Sequence, residues 1–348
     1  MKTLDKEIFI LIPRLNGSGP SKGAIALSNL LKKSFKITLI SLKENEFTYR
    51  ETLDDGVEKL EFKNYISSFF QFFKFLSKRK PVAVISFCIV PDCFNLISFG
   101  NHKKILSFRT NHSSGYKDLY GFFGFILSFI HNLFPLLSHS TIVMSSEHLK
   151  KLPKVSRKKT VVIKNFIDKF FDIPKVIFDE DLKHNLIVVS NLTKRKRVHL
   201  SIEFANQYSD FFESISIFGK GPEEKKLKEH SEDHKVNCNF FGFVDSPWKK
   251  IPKNPCFIHL SEDEGFPRAM LEAMQLNIPT ITFNFTGCQE YFNPKDQVII
   301  IKEKDNINNL KAALKILLKK NSDTKNFSFF QENSYERLLE SYKRVILD

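Results

Sequence analysis

The sequence predicts an α/β protein made of two doubly wound domains, and three observations lead to that prediction. At 348 residues the chain is too long for one ordinary hydrophobic core. Short apolar runs of strand length occur throughout both halves of the chain. Helical segments of ten or more residues separate many of these runs, as in a parallel sheet that is covered on both faces.

In the first half of the chain an apolar run begins at residue 8, and strands and helices alternate after it. A helix is predicted over residues 21–33, a Phe-rich helix over 69–80, and an apolar helix over 120–135. The predicted strands of this half are 8–13, 37–41, 82–87, 104–107, 141–144 and 160–163.

The second half repeats the pattern. Its predicted strands are 186–190, 214–219, 239–241, 256–260, 280–283 and 298–301. Residues 168–184, which are rich in charge and Phe, are the predicted linker. We therefore expect an N-terminal domain over residues 1–172, a C-terminal domain over 173–331, and a final helix within 332–348.

The charge of the chain is unevenly distributed. Residues 1–175 contain 28 Lys and Arg against 14 Asp and Glu, so the whole net charge of +14 lies in the first half. A basic first half can bind an anionic membrane or an anionic acceptor, or its charges can simply be solvated. Nucleic acid is not expected as a partner, because no helix-turn-helix, zinc-finger or RNA-recognition pattern accompanies the charge.

Cysteine spacing and the N-terminus indicate a cytoplasmic protein. The five cysteines are far apart and none forms a Cys-x-x-Cys pair, which argues for a reducing compartment and against a zinc site. The first residues show no signal-peptide pattern. Two aromatic segments, 69–80 and 120–135, either lie at a membrane interface or pack on the first sheet. The second is interrupted by glycines and polar residues and is short for a bilayer span.

Two carboxylates eight positions apart, Glu264 and Glu272, are the most informative feature for function. A buried strand is predicted just before Glu264, and Gly265 and Pro267 lead into a helix that carries Glu272. Backbone donors at a helix start, flanked by two carboxylates, suit a ligand that combines phosphate with sugar hydroxyls. On spacing alone, an ordinary helix with a glutamate at each end is the simpler explanation of the pair.

Two loops that follow predicted strands add candidate phosphate contacts. Gly17 and Gly19 follow the first strand and allow a close backbone approach, although the loop is neither a Gly-x-Gly-x-x-Gly fingerprint nor a P-loop. Four consecutive cations, residues 194–197, follow the first strand of the second domain and can neutralise a diphosphate. Each loop has a plain structural alternative, a turn in the first case and a solvated face in the second.

The order of several segments in the second half resembles the donor-site signature of glycosyltransferase family 4, retaining enzymes of the GT-B fold. The segments that carry the resemblance are 218–223, 242–244, 264–274, 279–281 and 287–290. The resemblance implies two Rossmann-like domains that face each other across a cleft, with the last helix crossing back to the first domain.

The resemblance also implies roles for individual residues. Glu264 would bind hydroxyls of the donor sugar and Glu272 those of the nucleotide ribose. The family pattern assigns the remaining donor contacts to Lys196, Gly265, Phe266 and Pro267 for the diphosphate, Gly17 and Gly19 for the diphosphate and acceptor, and Gly242, Phe243 and Val244 for the nucleobase. Asn191 stands where the family generally has an Arg, and Lys194 or Arg195 can compensate. Arg109 and His112 are candidate contacts to the transferred sugar or acceptor.

The activity implied is that of a hexosyltransferase. It would transfer a hexose or N-acetylhexosamine from a nucleotide sugar, most often a UDP-sugar, with retention and without a bound metal. The acceptor would be a saccharide, lipid-linked at the inner face of a membrane, as in capsule or lipopolysaccharide assembly. Asp179-Glu180-Asp181 matches a metal motif of another transferase fold but falls in the linker, where we interpret it as a solvated loop. The alternatives are a nucleotide-sugar-binding protein without transfer activity and a GT-B UDP-sugar epimerase.

Overall fold

The protein folds into two compact units, Met1–Asp168 with Asn333–Asp348, and Lys169–Glu332. The computed structural model describes residues 5–44, 53–110, 112–168, 176–179, 181–292, 296, 298–301, 310–319, 329–330 and 333–348, without the side chains of residues 113, 114, 118, 119 and 319. Much of the predicted linker, residues 169–175 and 180, lies outside the described residues, and so does the middle residue of the acidic triplet 179–181.

The first unit contains a seven-stranded parallel sheet in the order β3-β2-β1-β4-β5-β6-β7. Its strands are β1 (Glu7–Ile12), β2 (Lys36–Ser41), β3 (Val57–Glu61), β4 (Ala83–Phe87), β5 (Lys103–Phe108), β6 (Ser140–Val143) and β7 (Thr160–Val162). The sequence analysis missed β3, because this edge strand is only partly buried and carries charged side chains that hide its period.

The second unit contains a six-stranded sheet in the order β10-β9-β8-β11-β12-β13. Its strands are β8 (His184–Val189), β9 (Phe212–Phe218), β10 (Asn237–Gly242), β11 (Pro255–His259), β12 (Thr280–Phe283) and β13 (Val298–Ile301). All of its strand pairs are parallel. The predicted fold class, two doubly wound Rossmann-like units, is confirmed.

The helices connect these strands. They are α1 (Gly19–Leu31), α2 (Tyr65–Arg79), α3 (Ile89–Ile97), α4 (His112–His131), α5 (Ser146–Lys151), α6 (Lys154–Arg157), α7 (Val198–Gln207), α8 (Glu224–Glu232), α9 (Arg268–Gln275), α10 (Leu310–Lys319) and α11 (Tyr335–Leu347). Helix α3 was not predicted. Among the described residues, none of the helices is long and apolar enough to cross a membrane.

Strand β1 shows why the first unit has helices on both faces of its sheet. Ile8, Ile10 and Ile12 pack in the core that also contains residues of α1 and α11. Phe9 and Leu11 point to the opposite face, into the core formed with α2 and α3. A central strand buried on both faces reads as a continuous apolar run, which is why β1 could be predicted from sequence.

Each sheet has one point at which the strand order reverses direction. In the first sheet it lies between β1 and β4, and in the second between β8 and β11. The connections on the two sides of this point run to opposite faces, so a crevice opens beyond the carboxyl ends of the two central strands. The loops that follow β8 and β11 are therefore the first place to look for a ligand site in the second unit.

Helix α4 begins eight residues before the apolar helix that the sequence predicted over residues 120–135, and it is not continuous. Its backbone leaves the helical region at Gly121, where φ is 57° and ψ is −130°. A straight helix would place residues 112 and 131 roughly 28 Å apart. Instead, the rings of His112 and His131 stack with centroids 4.0 Å apart, so the two halves, 112–120 and 122–131, fold back on each other.

The hairpin of α4 is held from inside by a buried polar chain. The Tyr116 hydroxyl lies 2.7 Å from Nδ1 of His131, and Nε2 of the same ring lies 2.8 Å from Oδ2 of Asp92 in α3. Ser86 donates to the other carboxylate oxygen of Asp92 at 2.6 Å. Burial lowers the pKa of His131 to about 3 and raises that of Asp92 to about 8, so both groups are shifted toward their neutral forms.

We expect Gly124→Ala to lower the free energy of unfolding of the first unit by about 1–3 kcal/mol. A Cβ at Gly124 would lie 2.0 Å from the Tyr116 carbonyl oxygen, so the two halves of α4 would have to separate. Gly115→Ala in the same helix is the control, because its Cβ would meet nothing within 4 Å. Chemical denaturation measures both, and equal stability of the two variants would contradict the hairpin packing.

Candidate active site

The candidate site begins with the loop that follows β8, which the neighbouring turn after β9 holds in place. A Cβ at Gly219 would lie 1.8 Å from the Ser190 carbonyl oxygen, and one at Gly221 would lie 2.2 Å from that of Leu192. Only glycine allows this approach, which also lets the Leu192 amide donate to the Lys220 carbonyl at 3.0 Å. The glycines of residues 219–221 thus position the loop that leads to the four cations.

The same cationic loop is bonded on its other side to the loop that follows β11. The Glu262 amide donates to the Arg195 carbonyl at 2.9 Å, and the Arg195 guanidinium donates to the carbonyl of Asp263. Arg197 and Glu262 form an ion pair at 3.5 Å. Strands β8 and β11 are adjacent in the sheet, so these contacts join the two loops directly at the reversal point.

Glu264 lies at the centre of this junction, 6% exposed. Its Oε1 atom forms an ion pair with Lys196, lies 3.2 Å from Nη1 of Arg195, and accepts a hydrogen bond from the Ser261 hydroxyl at 2.9 Å. Nε2 of His259, the last residue of β11, lies 3.4 Å from the same atom. The structure therefore brings together Glu264 and Lys196, the carboxylate and the cation that the sequence singled out.

Opposing effects set the pKa of Glu264. Burial alone would raise it, but Lys196, His259 and Arg195 together hold the pKa well below its usual range. Burial lowers the pKa of Lys196, and Glu264 opposes that shift. The carboxylate is consequently an anion throughout the physiological pH range, and its stabilising contribution is lost only when the pH falls below the unfolded-state pKa and through the lower folded-state pKa.

Glu272 occupies a different environment on α9. It is 9% exposed, and its Oε2 atom accepts a hydrogen bond of 2.8 Å from the indole Nε1 of Trp248, which is also buried. Pro267 precedes this helix as its N-cap. Asn277, with a left-handed φ of 56°, follows the helix, so α9 is a short helix with the glutamate in its middle.

The segment between the two glutamates is anchored by its aromatic side chain. Gly265, Phe266 and Pro267 are all buried. The Phe266 ring stacks on that of Tyr291, with centroids 3.7 Å apart. This side chain is thus part of the core, and only the backbone of the segment is available for a ligand.

The remaining predicted donor contacts of the second unit lie at its surface. Asn191 is exposed and lies two residues after the end of β8. Gly242 ends β10 with a left-handed φ of 65°, and its carbonyl accepts from the Gly219 amide at 2.7 Å. Phe243 is exposed and Val244 half-buried, in the loop after that strand.

Gly17 and Gly19 lie where the sequence placed them, at the carboxyl end of β1 and the reversal point of the first sheet. Gly17 has a left-handed φ of 70°, which explains the choice of glycine. Gly19 begins α1 and is exposed, with open space where a side chain would stand.

Arg109 is held by several elements of the first unit. Its guanidinium donates hydrogen bonds to Asn165 at 2.8 Å and to Ser107 at 3.0 Å. It also lies 3.4 Å from the Tyr342 hydroxyl of α11 and stacks over the Phe87 ring, 4.8 Å from the ring centroid. These contacts join β4, β5, the segment after β7 and the last helix. Its predicted contact with a substrate stays a prediction.

His112 is buried inside the α4 hairpin. Its Nδ1 lies 3.1 Å from Oδ1 of Asn132, and its ring packs edge-on against Phe108 with centroids 4.3 Å apart. Burial lowers its pKa well below the usual value, so the ring is neutral. Its predicted role toward the sugar or acceptor also stays a prediction.

Sequence analysis missed three residues of the site, His259, Ser261 and Trp248. His259 ends an apolar strand and Ser261 begins the next loop, positions that give no signal without the fold. Trp248 is the only tryptophan of the chain and follows Pro247, a signal that could have marked it.

We expect Lys196→Met to lower the free energy of unfolding by about 1–3 kcal/mol at pH 7. The buried Glu264 carboxylate would lose its main counter-charge, although Arg195 would remain. Lys194→Met is the matched control, because it removes the same charge from an exposed neighbour. The double variant Lys196→Met/Glu264→Gln should recover part of the loss.

The pH dependence of this deficit follows from the direction of the shift. Without Lys196 the pKa of Glu264 rises, so the variant takes up a proton in the folded state sooner than the wild type does. The deficit should therefore be largest at pH 7 and shrink toward pH 4 in urea denaturation. A deficit that is the same for Lys196→Met and Lys194→Met would contradict the pairing.

The segment that carries this site is similar to known proteins. Residues 170–337 match the family model "Glycosyl transferases group 1". The poly(glycerol-phosphate) alpha-glucosyltransferase of Bacillus subtilis is 29% identical over 183 residues, which cover 51% of this chain and 26% of that enzyme. Other curated relatives are also covered in part, up to 58% for a Bacillus anthracis synthase, so the chain spans less than two thirds of their length.

Solved structures show the same fold. HepE of Anabaena, determined in complex with UDP and glucose, superposes with a TM-score of 0.75 at 14% identity, over 98% of this chain and 99% of that one. S. aureus TarM, determined with UDP and alpha-GlcNAc-glycerol, gives a TM-score of 0.64 at 20% identity, over 82% of this chain and 60% of that one. Residues 170–337 thus resemble a glycosyl transferases group 1 domain, and the chain shares the fold of these solved structures.

Proposed function

We propose that this protein is a retaining glycosyltransferase that moves a hexose or N-acetylhexosamine from a UDP-sugar to a saccharide acceptor. The observation that carries the proposal is the buried Glu264 carboxylate, paired with Lys196 and Arg195 where the strand order of the second sheet reverses. This is where open parallel sheets bind nucleotides. Relatives with transferase names and neighbours solved with UDP support the same reading.

The charges of the two joined loops suit a sugar diphosphate. Residues 194–197 carry four cations and residues 262–264 carry three carboxylates, so the junction has a small positive excess. Lys196 and Arg195 can share their donors between Glu264 and an incoming diphosphate. As the bond between sugar and phosphate breaks, charge develops on the diphosphate, and cations fixed in advance stabilise it.

The depressed pKa of Glu264 decides which role it can have. A general base works best with a pKa near the operating pH, and this carboxylate lies well below it. Glu264 therefore acts as a fixed anion that binds sugar hydroxyls and stabilises positive charge at the ring. The acceptor proton goes to the departing phosphate oxygen, on the same face of the sugar where the new bond to the anomeric carbon forms.

In this proposal Glu272 binds the ribose hydroxyls. Trp248 holds one of its oxygens at 2.8 Å and fixes the direction of the carboxylate. Gly242 at the end of β10, with Phe243 and Val244 after it, supplies backbone for the nucleobase. The backbone of Gly265 and Phe266, ahead of α9, faces the diphosphate in this proposal.

We propose only the chemical class of the acceptor and the part of the chain that binds it. The basic first half of the chain suits an anionic or lipid-linked saccharide at the inner face of a membrane, as in capsule or lipopolysaccharide assembly. Gly17 and Gly19 lie at the reversal point of the first sheet, where an acceptor or the donor diphosphate would be bound.

One observation favours a second candidate, a nucleotide-sugar-binding protein without transfer activity. Asn191 is exposed and uncharged where the resembling family generally has an arginine, so the diphosphate loses one cation. The experiment that separates the two is a screen of UDP-, GDP- and ADP-sugars for slow hydrolysis, with and without a chelator. UDP-sugar hydrolysis that survives the chelator supports the proposal, and UDP binding without hydrolysis or transfer supports the alternative.

The two glutamates should respond differently to substitution. We expect Glu264→Gln to reduce transfer by about 10²-fold or more while UDP still binds, because the group acts on the sugar. Glu272→Ala should weaken UDP binding by roughly tenfold, because a hydrogen-bonded carboxylate is lost from the ribose site. Steady-state kinetics and UDP titration calorimetry measure both effects, and full activity in both variants would refute the assignment.

Trp248 should behave as a positioning residue for Glu272. Trp248→Phe keeps an aromatic ring but removes the N–H donor, so we expect the KM for the donor to rise about fivefold with little change in kcat. A substitution that merely disturbed folding would instead lower the amount of active enzyme and leave KM unchanged. Rescue is not expected from Trp248→Tyr, whose hydroxyl lies on a ring of different shape.

A further inference from the structure

The second half of the α4 hairpin has its polar side inside and its apolar side outside. Gly124, Ser128 and His131 are buried at helical spacing. The exposed side chains on the remaining surface are all large and apolar: Phe122, Phe123, Phe125, Ile126, Phe129 and Ile130. A surface helix of a protein in water has the reverse arrangement, with its apolar stripe toward the core.

The contacts inside the hairpin prevent this helix from turning its aromatic side inward. His131 is held between Asp92 and Tyr116, and Gly124 lies against the Tyr116 backbone, where no larger residue fits. The rotation of the helix about its axis is therefore fixed by buried hydrogen bonds. Phe122 and Phe123 follow the bend at Gly121 and stand at the tip of the hairpin, 79% and 77% exposed.

The apolar surface continues beyond the hairpin and meets a strongly basic region. Leu136 and Leu137 are exposed in the short 3-10 turn that follows α4, and α6 packs against that turn. Residues 146–164, which include α5 and α6, carry seven Lys or Arg and one acidic residue. Lys154 and Lys158 of this region are exposed.

Helix α2 also exposes apolar side chains. Phe72 and Leu76 pack on the sheet, whereas Ile66 and Phe70 are 77% and 70% exposed. Helix α3 connects the two, because its Phe94 contacts Phe69 of α2 and its Asp92 contacts α4. The apolar side chains of α2 and α4 thus belong to one helical layer on one face of the first sheet.

We propose that the α4 hairpin tip, Tyr120–Phe123 with the following apolar face, inserts into the interfacial region of an anionic lipid bilayer, where the cations of α5 and α6 contact lipid phosphates. Membrane-surface helices combine these two features, aromatic residues toward the lipid and lysines beside them. Each cation near an anionic membrane adds to the attraction and makes it dependent on salt.

Charge complementarity selects the bilayer over a second copy of the chain. A symmetric dimer through this face would bring the cations of residues 146–164 toward their own copies, and like charges oppose such pairing. An anionic membrane matches the apolar tip and the basic region at the same time. The surface lies outside the proposed donor site, so this inference stands or falls independently of the transfer reaction.

The test is co-sedimentation of the full chain with vesicles of phosphatidylcholine alone or with phosphatidylglycerol. We expect binding to the anionic vesicles that weakens as salt is added, and at least tenfold weaker binding to neutral ones. Phe122→Ser/Phe123→Ser should reduce partitioning at least tenfold. Ile316→Ser is the matched control, an exposed apolar residue of α10 in the second unit, and should bind like the wild type.

A charge variant separates the two parts of the surface. Lys154→Glu/Lys158→Glu should weaken binding to anionic vesicles and flatten its salt dependence, while retaining the fold by circular dichroism. The inference is overturned if the wild type does not bind anionic vesicles, or if the Phe122/Phe123 variant binds as well as Ile316→Ser. It is also overturned if ultracentrifugation without lipid shows a dimer that the Phe122/Phe123 variant abolishes, because a second copy would then cover this face.

Discussion

The pairing of Glu264 with Lys196 and Arg195 is the interaction on which the candidate site depends. A carboxylate can be buried at the end of a central strand only if cations compensate for its lost hydration. Here those cations come from the loop after the neighbouring strand β8, so one charge cluster fixes two loops at the reversal point of the sheet. The glycines at 219 and 221 and the backbone bonds between residues 195 and 262 hold the same loops from either side.

In the proposed function, the cluster lets a negatively charged residue contribute to a site for a negatively charged ligand. Glu264 stays ionised because its neighbours stabilise the anion, and the same neighbours leave a small positive excess for a diphosphate. The second carboxylate, Glu272, forms no ion pair among the described residues and accepts a hydrogen bond from the neutral indole of Trp248. Two glutamates on adjoining segments thus occupy environments that suit two different parts of a nucleotide sugar.

The elements that could be predicted from the sequence are those marked by a pattern within a few neighbouring residues. Central strands such as β1 and β11 are continuous apolar runs, and the loop glycines stand directly after strands. Edge strand β3 was not predicted because its charged side chains weaken the alternating apolar pattern of a strand. Helix α3 was not predicted because it is too short to show a clear helical period. The pairing of residues 196 and 264 spans 68 positions and depends on β8 and β11 being neighbours, which no local pattern states. The fold-back of α4 at Gly121 was not predicted, and the apolar residues around it left burial and a membrane interface both open.

The most direct test of the account is a crystal structure of the protein with an intact UDP-sugar or a non-hydrolysable analogue. We expect the diphosphate to lie against Lys196 and Arg195, the ribose hydroxyls to bind Glu272, and a sugar hydroxyl to bind Glu264. A nucleotide bound elsewhere in the second unit, or one bound here with the sugar turned away from Glu264, would contradict it.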